Sequence, residues 1–156
     1  MEIDYLKNKL VYKLFINDDK DLFCFMVLNP EKETRYSLIT YEVYAECCSE
    51  SWIEDIEGYE NLKEQVVLES TCLEVIDTEG IKNDVIDGHS VRSGNEYLIK
   101  YGIDIQTIKG ICSIEFRNAS NGYYGADITK QNNEVFCDDN HHIEQIAKVL
   151  GFKEVK

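Results

Sequence analysis

Proline is nearly absent from this sequence of 156 residues, with Pro30 as the single example. Because proline removes a backbone hydrogen-bond donor, it is confined to the edges and ends of sheets. Its scarcity therefore suits a chain made of long strands. Tyrosine, which is enriched in strands, is abundant, with ten copies.

Long apolar runs are also missing. No run approaches the ~20 residues that a membrane-spanning helix needs. The acidic start Met1-Glu2-Ile3-Asp4 lacks the basic and apolar regions of a signal peptide. We therefore expect one domain over residues 1–156, in the cytoplasm and away from membranes. In a reducing cytosol the six cysteines are expected to be free, and Cys24, Cys72 and Cys112 are assigned to the core by their apolar neighbours.

Basic residues are scarce: 16 Lys and Arg face 30 Asp and Glu, giving a net charge of −14. Binding to phosphates needs clustered Lys and Arg, so nucleic acid is excluded as the direct partner. Residues 42–64 alone carry eight acids against Lys63, a net charge of −7. This segment is either a solvated face that keeps the protein soluble or a surface that meets a basic protein.

Sequence motifs of catalysis are absent. The chain has no nucleophile elbow, no P-loop and no dinucleotide-binding glycine motif. Neighbouring carboxylates such as Glu54 and Asp55 are too common in an acidic chain to indicate acid–base catalysis. We therefore predict a protein that is not an enzyme, with no catalytic residue and no cofactor.

The periodicity of apolar residues predicts strands at 10–16, 22–28 and 34–45, joined by turns into an antiparallel meander. Further strands are predicted at 65–76, 96–108 and 111–117, followed by a short strand that ends near Ile128. Asn121-Gly122 is a hairpin signal. Residues 77–95 are interpreted as a long loop.

Two helical segments complete the prediction. Residues 140–150 have an apolar stripe, with Asn140 as N-cap and Gly151 just after the end. Residues 49–64 are ambiguous, but as a helix they would place Glu46, Glu50, Glu54 and Glu57 on one face. The predicted fold class is α+β: a mainly antiparallel sheet of about seven strands, with a C-terminal helix and a short central helical segment near Trp52.

Four short stretches resemble an uncharacterised family of small proteins from phages, prophages and bacteria. They are Glu46-Cys47-Cys48, Ile53-Glu54-Asp55-Ile56 with Gly58 behind it, Thr107-Ile108-Lys109-Gly110, and Ser120-Asn121-Gly122-Tyr123-Tyr124. Together they span about residues 41–128. The resemblance implies a shared fold and a phage or mobile-element setting, in a bacterial or phage-infected cell. It implies no mechanism.

Two cysteine sites leave alternatives open. Cys47-Cys48 is structural, a redox pair or half of a metal site, although adjacent strand residues point to opposite faces and rarely share a metal. Cys137 and His141 have the i, i+4 spacing of a zinc pair, but two further ligands would have to come from elsewhere. The other interpretation is a polar cap on the last helix, and no metal site is assigned.

The sequence therefore predicts a small acidic protein that binds a basic surface of a host nucleic-acid-binding protein, as an inhibitor of the anti-defence type or a regulator. Tyr and Trp are enriched at the centres of interfaces. The predicted contact residues are Glu46, Glu50, Trp52, Glu54, Asp55, Glu57, Tyr123 and Tyr124. The alternative is a protein that binds a small ligand or a metal through the 77–95 loop and its Cys and His residues. The oligomeric state is not predicted.

Overall fold

The computed structural model of the chain describes residues 2–29, 35–46, 49–76, 85–86, 89–90, 97–121 and 126–156. Its helical elements are a 3₁₀ helix at Glu2–Leu6, helix α1 at Tyr59–Leu62 and helix α2 at Asn140–Val149. The strands within the described residues are β1 (Leu10–Asn17), β2 (Leu22–Leu28), β3 (Tyr36–Ala45), β4 (Glu50–Glu57), β5 (Gln65–Val66), β6 (Glu69–Ile76), β7 (Val85–Ile86), β8 (His89–Ser90), β9 (Tyr97–Thr107), β10 (Gly110–Ser120), β11 (Ala126–Lys130), β12 (Val135–Cys137) and β13 (Phe152–Glu154).

Sheet A is a seven-stranded antiparallel sheet with the order β11-β3-β2-β1-β13, in which β12 also pairs with β3 and β5 with β1. The predicted meander of the first three strands is confirmed. Strand β2 lies between β1 and β3, and its five inner positions are all buried. This position explains the continuous apolar run at residues 22–28, because a strand covered on both faces needs no polar side.

Sheet B is a separate four-stranded antiparallel sheet with the order β4-β10-β9-β6. The β9–β10 hairpin turns at Ile108 and Lys109, one residue before the break between the predicted strands 96–108 and 111–117. Ile103 and Ile105 of β9 face the same side as Ile114 and Phe116 of β10, and all four side chains are buried.

Three layers result from these elements. The inner faces of sheets A and B share one apolar core, which includes Phe23, Phe25 and Tyr41 from sheet A and Ile103 and Phe116 from sheet B. A second cluster joins the other face of sheet A to helix α2; its members include Phe15, Cys24, Met26, Leu38, Ile143 and Ala147. The mainly antiparallel architecture and the C-terminal helix are therefore confirmed, whereas the strands form more than the one sheet that was predicted.

The predicted helix near Trp52 is wrong, because residues 50–57 form strand β4. Its pairing with β10 contains a bulge: Asp55 lies opposite Glu115 and Ile53 opposite Phe116, so Glu54 is an extra residue. The bulge lets Ile53 and Ile56, three residues apart, both face the core side of sheet B. In the sequence, a spacing of three residues resembles that of a helix. Because the segment is a strand, Glu46, Glu50, Glu54 and Glu57 do not share a helical face.

Gly58 has a left-handed conformation, with φ of +76°, and it precedes the short helix α1. A Cβ atom at this position would lie 2.3 Å from the carbonyl oxygen of Ile111. Glycine is therefore required both by the backbone angle and by this close approach.

Smaller corrections concern the ends of elements. The predicted strand 65–76 is interrupted after Val66, and β5 and β6 pair with different sheets. Asp139, not Asn140, is the N-cap of α2, because its side chain accepts a hydrogen bond from the His141 backbone N–H. Gly151 follows the helix with φ of +91°, as predicted. Strands β12 and β13 have no counterpart in the sequence prediction, and the short strands β7 and β8 lie within the segment 77–95 that was interpreted as a loop.

Candidate partner-binding face of sheet B

The face of sheet B that points away from the shared core carries the acidic residues Asp55, Glu57, Asp104 and Glu115. We call it the outer face. The strand register arranges it in rows that run across the strands, because residues directly opposite each other in an antiparallel pair point to the same side. The three rows are Glu57-Ser113-Asp104-Thr71, Asp55-Glu115-Gly102-Leu73 and Trp52-Arg117-Lys100-Val75.

Like charges meet in two neighbouring rows. Asp55 lies directly opposite Glu115, and Lys100 lies directly opposite Arg117. Like charges at directly opposite positions destabilise a sheet. The two rows partly compensate each other, since the acidic pair lies next to the basic pair. The rim of the face toward β4 carries the carboxylates of Glu50, Asp55 and Glu57.

Arg117 is the charged group that organises this arrangement. Its guanidinium contacts Glu115 Oε2 through Nη2 at 3.1 Å and through Nε at 3.3 Å, and its Nη1 lies 3.9 Å from Glu54 Oε1. The side chain is only 10% exposed. A guanidinium removed from water requires such carboxylate partners, so Arg117 fixes the positions of both glutamates.

Gly102 creates a depression at the centre of the outer face. The cavity above it has a volume of about 390 Å³ and is lined by Asp55, Glu57, Ser113 and Glu115 on one side and by Leu73 and Val75 on the other, with Lys100 at the edge. Leu73 and Val75 are both more than half exposed. One wall of the depression is therefore acidic and the opposite wall aliphatic.

Trp52 does not occupy the position that the sequence predicts for a contact anchor. The side chain is 3% exposed and forms a small buried cluster with Leu98 and Ala119. Its indole Nε1–H donates a hydrogen bond of 2.7 Å to Glu54 Oε2. Trp52 therefore stabilises the bulge of β4, and in this conformation its ring is not available to a partner.

The other predicted contact residues are spread over different places. Asp55 and Glu57 are exposed on the outer face, Glu50 is half-buried at the start of β4, and Glu46 is exposed after β3. Glu54 is engaged by Trp52 and Arg117. Tyr123 and Tyr124 lie outside the described residues, as do Cys47, Cys48 and most of the 77–95 loop.

Residues that sequence reasoning missed complete the outer face. Glu115 and Arg117 alternate with the core residues of β10, so their outward direction is visible in the sequence, but their neighbours on β4 are not. Gly102 interrupts the pattern of β9, and a glycine inside a strand often marks a place where another group approaches closely. Leu73 and Val75 read as ordinary strand residues, and only the register places them beside Gly102.

The cysteines divide into two groups. Cys24 and Cys112 are free and buried, as predicted, and burial raises the pKa of each thiol to about 12. Cys72 is exposed, so its assignment to the core is wrong. It lies on β6, none of whose eight residues is buried.

The Cys137 and His141 pair stands at the junction of β12 and α2. Cys137 is free and half-buried, and the ring of the exposed His141 lies 3.3 Å from Gln145. Within the described ranges, no three His, Cys, Asp or Glu side chains are grouped so that they could hold a metal ion.

Comparison with known proteins gives one match. The family model described as a domain of unknown function, DUF7448, matches residues 8–130. The chain belongs to this family. The predicted relationship to an uncharacterised family is thereby confirmed, and the DUF7448 region runs from just before β1 to the end of β11.

No curated protein and no solved structure matches the chain. In the described part of the chain, none of the helices has the length and apolar character needed to cross a membrane.

Proposed function

We propose that this DUF7448 protein is a non-enzymatic binding protein whose outer face of sheet B engages a basic surface of another protein. The observation that carries the proposal is the direct cross-strand pairing of Asp55 with Glu115, beside the exposed Glu57. A like-charged pair in a sheet costs stability. Arg117 already neutralises part of this charge through Glu115. A cationic partner that binds at Asp55 and Glu57 relieves the remaining repulsion, so the arrangement favours association over the stability of the free protein.

The charge of the chain indicates which kind of partner the proposal should name. A net charge of −14 repels nucleic acid but attracts proteins that bind it, because such proteins carry clustered Lys and Arg. We propose that the partner is a host protein of this kind, in the cytoplasm of a bacterial or phage-infected cell, and that the outer face competes with nucleic acid for its basic surface. An inhibitor of the anti-defence type, or a regulator, would act in this way.

The contact residues of the proposal are Asp55, Glu57 and Glu115, with Glu46 and Glu50 further along the same acidic segment. Glu54 and Trp52 are assigned the supporting role of holding the bulge. Tyr123 and Tyr124 stay in the proposal as predicted rim residues. Metal binding through Cys or His residues is not part of it.

The test is affinity capture from bacterial host lysate at low salt, with two baits compared against the natural protein. The first bait carries Asp55→Asn and Glu57→Gln, which leave the Glu115 partner of Arg117 in place. The second carries the same change of charge outside sheet B, through Asp19→Asn and Asp138→Asn. All four residues are acids of the described chain, and the control positions lie in the β1–β2 turn and before α2.

The expected result is a captured protein with a basic surface that is lost with the first bait and retained with the second. With purified partner, the first bait should slow association more than it speeds dissociation, since rim charges mainly steer the encounter. Equal binding by the two baits would show that the interaction follows net charge alone and would contradict the proposed face.

A second candidate function is supported by the depression itself. Its volume of about 390 Å³ lies within the range of small-molecule pockets. A small ligand held mainly by the aliphatic wall of Leu73 and Val75 would bind with little dependence on salt, whereas charge-led binding of a protein weakens steeply as ionic strength rises. A salt titration of the bound complex therefore separates the two functions.

A further inference from the structure

The depression above Gly102 has a shape and polarity that select for one kind of group. It crosses the sheet in the row Leu73-Gly102-Glu115-Asp55, from the aliphatic wall to the carboxylates. With strands about 4.8 Å apart, β6 and β10 are separated by about 10 Å, and Gly102 on β9 leaves the floor between them open. A group that fills this space must be long, narrow, apolar at one end and positively charged at the other.

Lysine and arginine side chains have this form. Their aliphatic stems bury apolar surface while the charged head remains beside acids and water. Leu73 and Val75 offer the surface for a stem, and Asp55 and Glu57 offer carboxylates for a head. The contacts of Arg117 with Glu115 go to the Oε2 oxygen of this carboxylate and do not use its Oε1 oxygen.

Lys100 sets the direction of the occupant. It lies opposite Arg117 and next to Val75, at the edge of the cavity. A second cation is repelled from this edge and attracted to the β4 side. The head group therefore points toward Asp55 and Glu57, and the stem lies across Gly102.

The backbone at position 102 does not require glycine. Among the described residues, an added Cβ atom would have Leu73 Cβ at 3.9 Å as its one neighbour within 4 Å, which is an ordinary contact, and Gly102 does not have a positive φ. Glycine inside a strand weakens it relative to residues with side chains. A larger residue would fit the strand and would stabilise it, but it would fill the depression.

From this geometry we infer that the depression is a specificity pocket that receives a single Lys or Arg side chain of the basic partner across Gly102. The inference rests on the proposed function, because it names the group of the partner that the outer face recognises. It assigns Gly102 as a specificity-determining residue and Leu73 and Val75 as the wall that distinguishes a cationic side chain from a simple cation.

The experiment is an NMR titration of the ¹⁵N-labelled protein with three capped peptides of sequence Gly-Ser-X-Ser-Gly, in which X is lysine, arginine or norleucine. Norleucine has the aliphatic stem without the charge. The lysine and arginine peptides are expected to shift the amide signals of Leu73, Gly102 and Glu115 and to bind at least about fivefold more tightly than the norleucine peptide, the size expected for one charge-assisted contact. Equal binding of the three peptides would overturn the inference.

Two substitutions of Gly102 test the depression without changing the charge of the protein. Gly102→Val should weaken binding of the lysine peptide at least about fivefold, and Gly102→Ala, whose Cβ makes only an ordinary contact, should have a smaller effect in the same direction. The spectra and thermal midpoints of both variants should show an intact fold, because valine is favoured in strands. Unchanged affinity of folded Gly102→Val would overturn the inference.

The two proposals fail in different ways. If Asp55→Asn with Glu57→Gln abolishes partner binding while Gly102→Val leaves peptide and partner binding unchanged, the acidic face stands and the pocket does not. If neither set of variants weakens binding of the partner, both proposals are overturned.

Discussion

Asp55 and Glu115 lie directly opposite each other on β4 and β10, so two carboxylates meet across sheet B. The same pair defines the proposed contact face, and it predicts opposite effects on stability and on binding.

Asp55→Asn should raise the free energy of unfolding by about 0.2–1 kcal/mol, because it removes a like-charged cross-strand pair. The asparagine Oδ1 can still accept the hydrogen bond that the Ile56 backbone N–H donates to Asp55. Urea denaturation at low salt measures the gain, which should shrink at high salt. Asp138→Asn, at an exposed site outside sheet B, is the control and should change stability by less than about 0.5 kcal/mol. A loss of stability in Asp55→Asn would contradict the assigned repulsion.

Trp52 gives a direct optical test of the β4 bulge, since it is the single tryptophan of the chain. With 3% exposure in the folded protein, its fluorescence should resist quenching by iodide and should shift to longer wavelength on unfolding. Trp52→Phe removes the donor to Glu54 and should lower stability by about 1–3 kcal/mol, because the Glu54 Oε2 oxygen loses this hydrogen bond. Strong iodide quenching in the native protein would instead support the exposed anchor that the sequence predicts.

The different exposure of the cysteines predicts which thiols a labelling reagent modifies. In the native protein Cys72 should react rapidly with a thiol reagent, whereas Cys24 and Cys112 should react only after unfolding. Peptide mapping by mass spectrometry after brief labelling identifies the modified positions. Rapid labelling of Cys24 or Cys112 in the folded protein would contradict their place in the core.

The same two buried thiols predict loss of stability in alkali. Their pKa values are raised to about 12 in the folded protein, against about 8.5 in an unfolded chain. Above that lower value the unfolded state releases protons that the folded state retains, so the free energy of unfolding falls as pH rises toward 12. Each thiol contributes a slope of up to about 1.4 kcal/mol per pH unit. Cys112→Ala should reduce the slope of a pH series of urea denaturations.

Tyr59 links the DUF7448 region to the C-terminal strand. Its hydroxyl accepts a hydrogen bond from the Leu14 backbone N–H at 3.1 Å and donates one to Glu154 Oε2 at 2.8 Å. Tyr59→Phe leaves the buried Leu14 N–H without this acceptor and should cost about 1–3 kcal/mol of stability in urea denaturation. Tyr44→Phe, at an exposed position on β3, should be neutral within about 0.5 kcal/mol. Equal effects of the two variants would contradict the role of the hydroxyl.

Glu154 makes the stability of the folded protein depend on pH in the acidic range. Burial opposes its ionisation, but hydrogen bonds from Lys63 and Tyr59 outweigh this effect and lower its pKa. Its contribution to stability is therefore present above the unfolded pKa of about 4.3 and is lost as pH falls through the lower folded value. In Glu154→Gln this part of the loss on acidification should disappear, which an acid series of urea midpoints measures.

Periodicity in the sequence was sufficient for the strands whose inner residues alternate or run continuously. The β1–β2–β3 meander, the β9–β10 hairpin and helix α2 follow from local patterns, because their partners are neighbours along the chain. Strand β4 was mistaken for a helix because a single bulged residue, Glu54, changes the spacing of Ile53 and Ile56 to three. Such a bulge depends on the partner strand, and the sequence of β4 alone does not show it.

The candidate site shows the same division. The sequence by itself determined that the protein is acidic, that residues 42–64 concentrate this charge, and that Asp55 and Glu57 belong to it. Only the tertiary structure decided that Trp52 is buried and that Glu115, Gly102, Leu73 and Val75 join the two acids on one face. The physical reason is that charge and apolar pattern are properties of each segment, whereas a face of a sheet is made by the register of several strands. Here β4 and β6 are distant along the chain from the β9–β10 hairpin.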